Sequence, residues 1–391
     1  MASVRDFSVS AFFTGFGSFS FMLLLPIRVE QLGFDRIAIG MVLSSYAVAV
    51  LLFSPLWGYF SDRSGRRKPF LILGYLIFSG GSLLLITAQT IPELMAFRFL
   101  QGVGFAAHPM LVALFTDHFG SEATRRFGTL SGLEALGWGI GSLTAGFLAD
   151  QLSIQVAFAT AAMWPLVSAA LVYGRLPESR PETRQTAPTP TGAAPPEAFP
   201  KKLFFLYGTV FVRMSSAIAL WSMLPLYLMM FVENLTQAGA VNAVNMLMQP
   251  LFMIWLGKYA EPLGRLRLVM WGIFGTVLTF WLYASAAQVW QILLGQITIS
   301  LSWAAIVIGM NTYVMATASK HVRGKAFGYL TSSIMIAMAV GPMLGSTLAA
   351  ALSIRGMIFI VSLLMLPSLP LLIRLRMLDQ RAGVAAEVTP E

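Results

Sequence analysis

The stretch LLFSPLWGYFSDRSGRRKPFLIL, residues 51–73, passes from apolar to charged and back to apolar. Its flanks belong to apolar runs at 37–60 and 69–89, each long enough to cross a bilayer as a helix. The short loop between them carries Arg63, Arg66, Arg67 and Lys68. Cations collect on the cytoplasmic side of membrane spans, so the stretch reads as a membrane hairpin with its turn in the cytoplasm.

The rest of the chain has the same character. Of 391 residues, 57% are hydrophobic and 11% charged, against roughly 25% charged in soluble domains. Further apolar runs at 7–27, 91–116, 127–149, 153–174, 203–231, 237–257, 267–286, 289–315, 326–351 and 354–375 bring the expected spans to twelve. In lipid a helix satisfies its own backbone, so all twelve are expected to be helical. The first run is long, weakly charged at its start, and flows into Pro26 and Arg28; it reads as a retained first helix rather than a cleaved leader. With a cytoplasmic N-terminus, 21 of the 26 lysines and arginines fall on the cytoplasmic side. Three, Arg28, Arg36 and Arg355, fall on the other, and Arg98 and Arg213 lie within spans. Both termini are therefore expected in the cytoplasm, and an odd number of spans would lose the bias. The net charge of +9 then reads as membrane topology rather than nucleic-acid binding. The chain has no cysteine, which excludes disulfides, thiolate chemistry and cysteine-held metals.

One polar stretch interrupts the pattern. Residues 180–200, RPETRQTAPTPTGAAPPEAFP, have the proline, threonine and alanine of a flexible linker and little apolar bulk. The expected organisation is a six-helix bundle over 1–178, a cytoplasmic linker over 179–200, and a second bundle with a short polar tail over 201–391. The halves match in order: Pro26 with Pro225, and Gly58, Asp62, Gly65 and Arg66 with Gly257, Glu261, Gly264 and Arg265, at an offset of 199. Phe127–Gly128, Gly141 and Leu152–Ser153–Ile154 match Phe327–Gly328, Gly341 and Leu352–Ser353–Ile354 at 200. Repeated six-helix halves with a site between them are a transporter architecture.

Gly58-Tyr-Phe-Ser-Asp62-Arg63-Ser-Gly65-Arg66-Arg67 resembles the loop 2–3 signature of the major facilitator superfamily. Arg98-Phe-Leu-Gln101-Gly102-Val-Gly104 resembles the fourth-helix motif of its proton-linked members. Gly137, Gly139, Gly141 and Ala145–Gly146 resemble the fifth-helix motif of its antiporters, with Ser142 where those have proline. The resemblance implies an all-α membrane protein of twelve transmembrane helices in two pseudo-symmetric bundles. It also implies a gating cluster, Gly58, Asp62, Arg63, Gly65, Arg66 and Arg67, that latches the second helix to the eleventh near Lys325–Gly328. The competing reading is a basic loop that only fixes topology, a role that suits the arginines but not Asp62.

Of the 17 acidic residues, Glu134 alone lies well inside a span. It sits about 10 Å from the cytoplasmic face, counted from the start of its helix. A carboxylate there costs several kcal/mol unless paired or protonated, so Glu134 is the candidate proton carrier. Glu134, Gly137, Gly141 and Ala145 share one helical face, and family geometry gives that face helix 8 as its neighbour. Arg213 lies about 15 Å deep from the same side, nearer in height to Glu134 than Arg98 is, and is the favoured partner. The alternative is a permanent ion pair without a transport role.

Polar residues form one-sided stripes on apolar helices. Arg98, Gln101, Phe105 and His108 lie on helix 4, Asn242, Asn245 and Gln249 on helix 8, and Gln296, Ser300, Trp303 and Asn311 on helix 10. Helices 4 and 10 are repeat-equivalent, and the family places both at the central cavity. Substrate contact is therefore assigned to Arg98, Gln101, His108, Arg213, Asn242, Asn245, Gln249, Gln296, Trp303 and Asn311, and proton coupling to Glu134, Arg213 and Arg98. Interhelical hydrogen bonding is the competing role for each, and His108, beside Pro109, also reads as a packing residue.

No phosphate-binding GxxxxGK[ST] loop is present, and His108, His118 and His321 are too scattered for a metal site. No cofactor, metal or nucleic acid is expected. The sequence reads as a monomeric secondary transporter in a bacterial-type inner membrane. It would move a small organic or amphipathic molecule by alternating access, as a proton-coupled efflux antiporter with protons and membrane lipids as its other partners. The rivals are a symporter or uniporter importing a sugar or organic anion, which Ser142 leaves open, and a non-transporting sensor or lipid-modifying protein.

Overall fold

The computed structural model describes residues 3–178, 199–259, 263–319 and 322–388. Residues 179–198 of the expected linker, together with Glu261, Lys320 and His321, lie outside the described residues, as do the side chains of Arg125 and Arg381. Among the described residues all regular structure is helical. Twelve helices follow in order: α1 Val4–Gln31, α2 Arg36–Ser64, α3 Lys68–Thr87, α4 in two pieces (Ile91–Phe105 and Pro109–Phe119), α5 Ala123–Gln151 and α6 Ile154–Arg175. After these come α7 Leu203–Leu228, α8 Leu235–Gly257, α9 Arg265–Ala284, α10 Val289–Thr317, α11 Arg323–Ala351 and α12 in two pieces (Ile354–Leu363 and Ser368–Val388). Eleven are long and apolar enough to span a membrane. The twelfth, α5, is as long as α2 but diluted by its glycines and Glu134.

The matches between the halves fall where backbone geometry demands them. Gly65 ends α2 and Gly264 starts α9, both at positive φ (64° and 84°), which other residues rarely adopt. Ser153 and Ser353 are the N-caps of α6 and α12, accepting from Val156 N at 3.2 Å and Gly356 N at 3.0 Å.

By proximity the chain forms two compact units, Met1–Thr191 with Trp221–Leu247, and Gly192–Leu220 with Met248–Glu391. In the first, Gly141 lies against the Phe16 carbonyl of α1, and Gly74 of α3 against the Gly104 carbonyl of α4. In the second, Gly341 lies against Ser215 and Ile218 of α7, and Gly272 of α9 against the Ser302 carbonyl of α10. No Cβ fits at any of the four, so the repeat is one of helix backbones in contact. Hydroxyls repeat as well: Ser168 of α6 bonds the Ser10 carbonyl at 2.5 Å, and Thr209 of α7 bonds the Ser368 carbonyl at 3.4 Å.

The seam of Glu134, expected to face α8, faces α1 instead. Gly137 and Gly141 meet the carbonyls of Phe12 and Phe16, and Gly15 lies against the Glu134 carbonyl. The neighbouring face of α5 takes α8: Gly146 meets the Leu235 carbonyl, and Gly239 meets that of Ser142. Glycines four apart hold one helix and those seven apart, Gly139 and Gly146, the other, because both spacings return to a common face.

Candidate functional site

Proline shapes the middle of α4. Pro109 has no N–H to give to the Phe105 carbonyl, and the helix opens into a turn at Ala106–His108, where His108 N bonds Phe105 O at 2.9 Å. The turn lays the His108 ring on that of Phe105, with centroids 5.1 Å apart and planes 14° apart. His108 Nε2 then lies 2.9 Å from Glu134 Oε1, and Nδ1 lies 3.1 Å from the Tyr75 hydroxyl of α3. The side chains of His108 and Glu134 are 10% and 18% exposed. The described partner of Glu134 is thus His108 and not an arginine. Height along the membrane normal ranks Arg213 and Arg98 but does not register the turn before Pro109 that brings His108 to the carboxylate.

Arg98 and Gln101, about two to three turns before His108 on α4, form a separate network. Arg98 Nη1 donates to Gln101 Oε1 at 2.5 Å, Gln101 Nε2 to Ser82 Oγ at 2.6 Å, and Ser82 to the Phe78 carbonyl at 2.7 Å. The guanidinium lies over the Tyr46 ring at 4.2 Å. Both residues are buried, and the network ties α4 to α3 and α2.

The α8 stripe is buried too. Asn242 donates to Ser142 Oγ at 2.9 Å, so the serine that replaces the antiporter proline is the hydroxyl that receives α8. Asn242 and Asn245 border a cleft with Phe19, Met22, Trp221 and Pro225 that encloses about 20 Å³, room for about one water molecule. Gln249 is buried further along the stripe. On α10, Gln296 and Ser300 are buried, Ser300 donating to the Gln296 carbonyl at 2.6 Å, and Asn311 donates to the Val307 carbonyl at 2.8 Å. Trp303 lies beneath Arg213 of α7, 4.8 Å from ring centroid to guanidinium. Arg213 also donates to Thr276 Oγ1 of α9 at 3.3 Å.

The expected gating cluster is tied to other residues of the first unit. Arg67 Nε bonds Asp117 Oδ2 at 2.7 Å, Nη1 stands 3.9 Å from Asp62, and the Arg67 and Lys68 amides donate to Glu178 at 2.8 and 3.1 Å. Arg63 donates to Tyr59 at 2.9 Å, and the Arg66 carbonyl accepts from Ser61 at 3.0 Å. Gly58 has open space around its α-carbon. The 71% exposed Asp62 side chain is free to take other partners; the implied one, Lys325–Gly328, belongs to the second unit.

Tyr75 and Ser82 carry no expectation from the sequence, and Asp150, an acid at the far membrane face, carries none as a cap. Asp150 ends α5 and accepts from Leu235 N at 2.9 Å, Thr236 N at 2.5 Å and Thr236 Oγ1 at 2.6 Å, capping α8 from another helix.

The sequence model of the Major Facilitator Superfamily matches residues 7–235 and 206–389. The chain is 27% identical over 364 residues to the multi-drug resistance efflux pump PmrA of Streptococcus pneumoniae serotype 4, covering 90% of each protein. It is 24% identical to the multidrug resistance protein MdtG of Citrobacter koseri, covering 89% of this chain and 88% of that one. Among solved structures, a bacterial homolog of the human lysosomal transporter Spinster superposes with a TM-score of 0.80 at 12% identity, over 95% of this chain and 96% of that one. The nucleoside transporter NupG superposes with a TM-score of 0.75 at 15% identity, over 96% and 98%. With matches that together run almost from end to end, and with transporters rather than enzymes as its relatives, this integral membrane chain belongs to the Major Facilitator Superfamily.

Proposed function

We propose that this transporter is a proton-coupled antiporter that exports a small organic or amphipathic molecule across a bacterial inner membrane, with both termini in the cytoplasm. The observation that carries the reading is the largely buried couple of Glu134 and His108, 2.9 Å apart within two spans. One proton added to that couple changes its net charge. In a site of low dielectric such a change is worth several kcal/mol, enough to reverse which of two access states is favoured. Glu134 carries the proton and His108 holds it. Arg98 and Arg213 orient the substrate, with Gln101, Asn242, Asn245, Gln249, Gln296, Trp303 and Asn311 as further contacts, and Asp62 with Arg66 stabilises one gate state. The efflux direction follows the pumps to which the chain is similar.

The test is Glu134→Gln in proteoliposomes with an imposed pH gradient. Gradient-driven transport is expected to be abolished while substrate exchange without a gradient persists; unchanged gradient dependence removes Glu134 from coupling. Ser142 in place of the antiporter proline favours symport as the second reading. Substrate added on one side drives the lumen pH in opposite directions under antiport and symport, which separates them.

A further inference from the structure

Arg213 is 1% exposed, yet its surroundings do not neutralise it. Nη1 points at the Met214 sulfur (3.1 Å), Nη2 at the Thr276 hydroxyl (3.3 Å), and Nε has no acceptor. Among the described residues it makes no ion pair. Arg98 likewise has no ion pair among the described residues and no acceptor at Nε, but the Gln101 carbonyl oxygen receives its Nη1 at 2.5 Å, a stronger acceptor than any that Arg213 meets. A thioether and a hydroxyl are weak acceptors for a group with five N–H donors arranged as a fork. The face of Trp303 attracts the cation but accepts none of its in-plane hydrogens. Seven residues before Trp303, on the same face of α10, the buried Gln296 amide has neither its nitrogen nor its oxygen bonded. The second unit thus carries a planar cationic fork, an indole surface and, two turns away, an unsatisfied amide.

We infer that Arg213 and Trp303 form a subsite for an organic anion, a carboxylate or sulfonate joined to a flat apolar body, and that the transported molecule carries this negative charge. A carboxylate or sulfonate meets the guanidinium edge through two parallel hydrogen bonds, and the flat body stacks on the indole. The assignment deepens the proposed export function and rests on it for the claim of transport; the binding preference stands without it.

The test is equilibrium binding to the purified full chain of three probes of one shape: 2-naphthoate, 2-naphthalenemethanol and (2-naphthylmethyl)trimethylammonium. 2-Naphthoate is expected to bind at least tenfold more tightly than the other two. Arg213→Gln is expected to remove that preference, Arg213→Lys to keep part of it because charge remains without the fork, and Trp303→Leu to weaken 2-naphthoate while leaving its lead over the alcohol. Equal or absent binding of all three by the parent chain overturns the inference, and so does an undiminished preference in a folded Arg213→Gln protein. Should Arg213→Gln not fold, the parent's three-probe comparison decides. No step uses a pH gradient. A failure of proton coupling, read from Glu134→Gln, is therefore distinguishable from a failure of anion recognition.

Discussion

Tyr75, His108 and Glu134 occupy places on α3, α4 and α5 whose repeat counterparts on α9, α10 and α11 are Ile273, Ile306 and Ile334. The glycines around them are shared: Gly74 and Gly272 touch corresponding carbonyls, and so do Gly141 and Gly341. The aromatic platform is shared too. Phe105 carries the His108 imidazole at 5.1 Å, and its counterpart Trp303 carries the Arg213 guanidinium at 4.8 Å. Arg213 in turn stands where the first half has Thr14. Backbone contacts leave glycine no substitute, because any Cβ would overlap a neighbouring helix. Polar side chains in the spaces between are under no such constraint. One half has come to hold an acid and a base beside an amide-bound Arg98, the other a cation that meets only a thioether, a hydroxyl and an indole face. Under the proposed function, proton handling and anion handling reside on different helices of one scaffold.

The largest expected effect comes from making the first half resemble the second. His108→Ile leaves the Glu134 carboxylate without its partner, and removing one member of a buried pair costs about 3 kcal/mol or more. Denaturation midpoints should fall accordingly, and gradient-driven transport should be lost. The reverse change, Ile306→His, buries an imidazole with no acid opposite; it is expected to cost about 1–3 kcal/mol and to confer no coupling. Full stability in His108→Ile would reduce the couple to a passive contact.

Packing should behave in the opposite way, alike in both halves. Gly141→Ala and Gly341→Ala each force two helices apart, at about 1–3 kcal/mol by the usual cost of overpacking, and the two values should agree within about 0.5 kcal/mol. Gly58→Ala, with open space around it, is expected to be neutral or to stabilise by up to about 1 kcal/mol, the helix propensity gained. Thermal unfolding of the three variants measures this. The same physics explains why so much of the fold was legible. A missing side chain at a fixed offset is visible in the letters, and so are an apolar run and a basic loop. The site was legible in composition but not in pairing. Glu134, His108, Arg98, Gln101, Arg213 and Trp303 all stood out as polar or aromatic residues in oil, yet height along an axis says nothing of helix rotation. A turn of three residues before Pro109 decided which group met the carboxylate. Tyr75, Ser79 and Ser82, spaced four and three, make a one-sided polar stripe in α3 of the same kind as those on α4, α8 and α10. A second signal for Tyr75 is its counterpart Ile273, an apolar residue at a place where the repeat otherwise holds.

A smaller effect belongs to the start of α8. Asp35 caps α2, accepting from Ala38 N at 2.9 Å, and its counterpart Asn234 receives Gln237 N at 2.9 Å. In α8 alone of these two, a second acceptor, Asp150, arrives from α5, while the counterpart of Asp150 is Ala350. Asp150→Ala is expected to cost about 1–2 kcal/mol, as for the loss of a strong cap. Hydrogen exchange should accelerate at the Leu235 and Thr236 amides and remain unchanged at Ala38. Unchanged protection at Leu235 would show that water or Asn234 serves those amides equally well.

The smallest effect is the most informative about mechanism. The Tyr75 hydroxyl reaches His108 Nδ1 at 3.1 Å while Nε2 faces Glu134. If the phenol donates to Nδ1, the imidazole proton must sit on Nε2, where it points at the carboxylate. Tyr75 then fixes which face of the ring meets the acid, though Ile273 shows that the fold itself has no need of a polar group there. Tyr75→Phe removes one neutral hydrogen bond, worth about 1 kcal/mol, so transport should slow by less than about tenfold. Nitrogen-15 spectra of labelled histidine should show His108 protonated at Nε2 in the parent and divided between the two nitrogens in Tyr75→Phe. A tautomer that stays at Nε2 in the variant would mean that the carboxylate alone orders the ring, and Tyr75 would then belong to the packing of α3 against α4 rather than to the path of the proton.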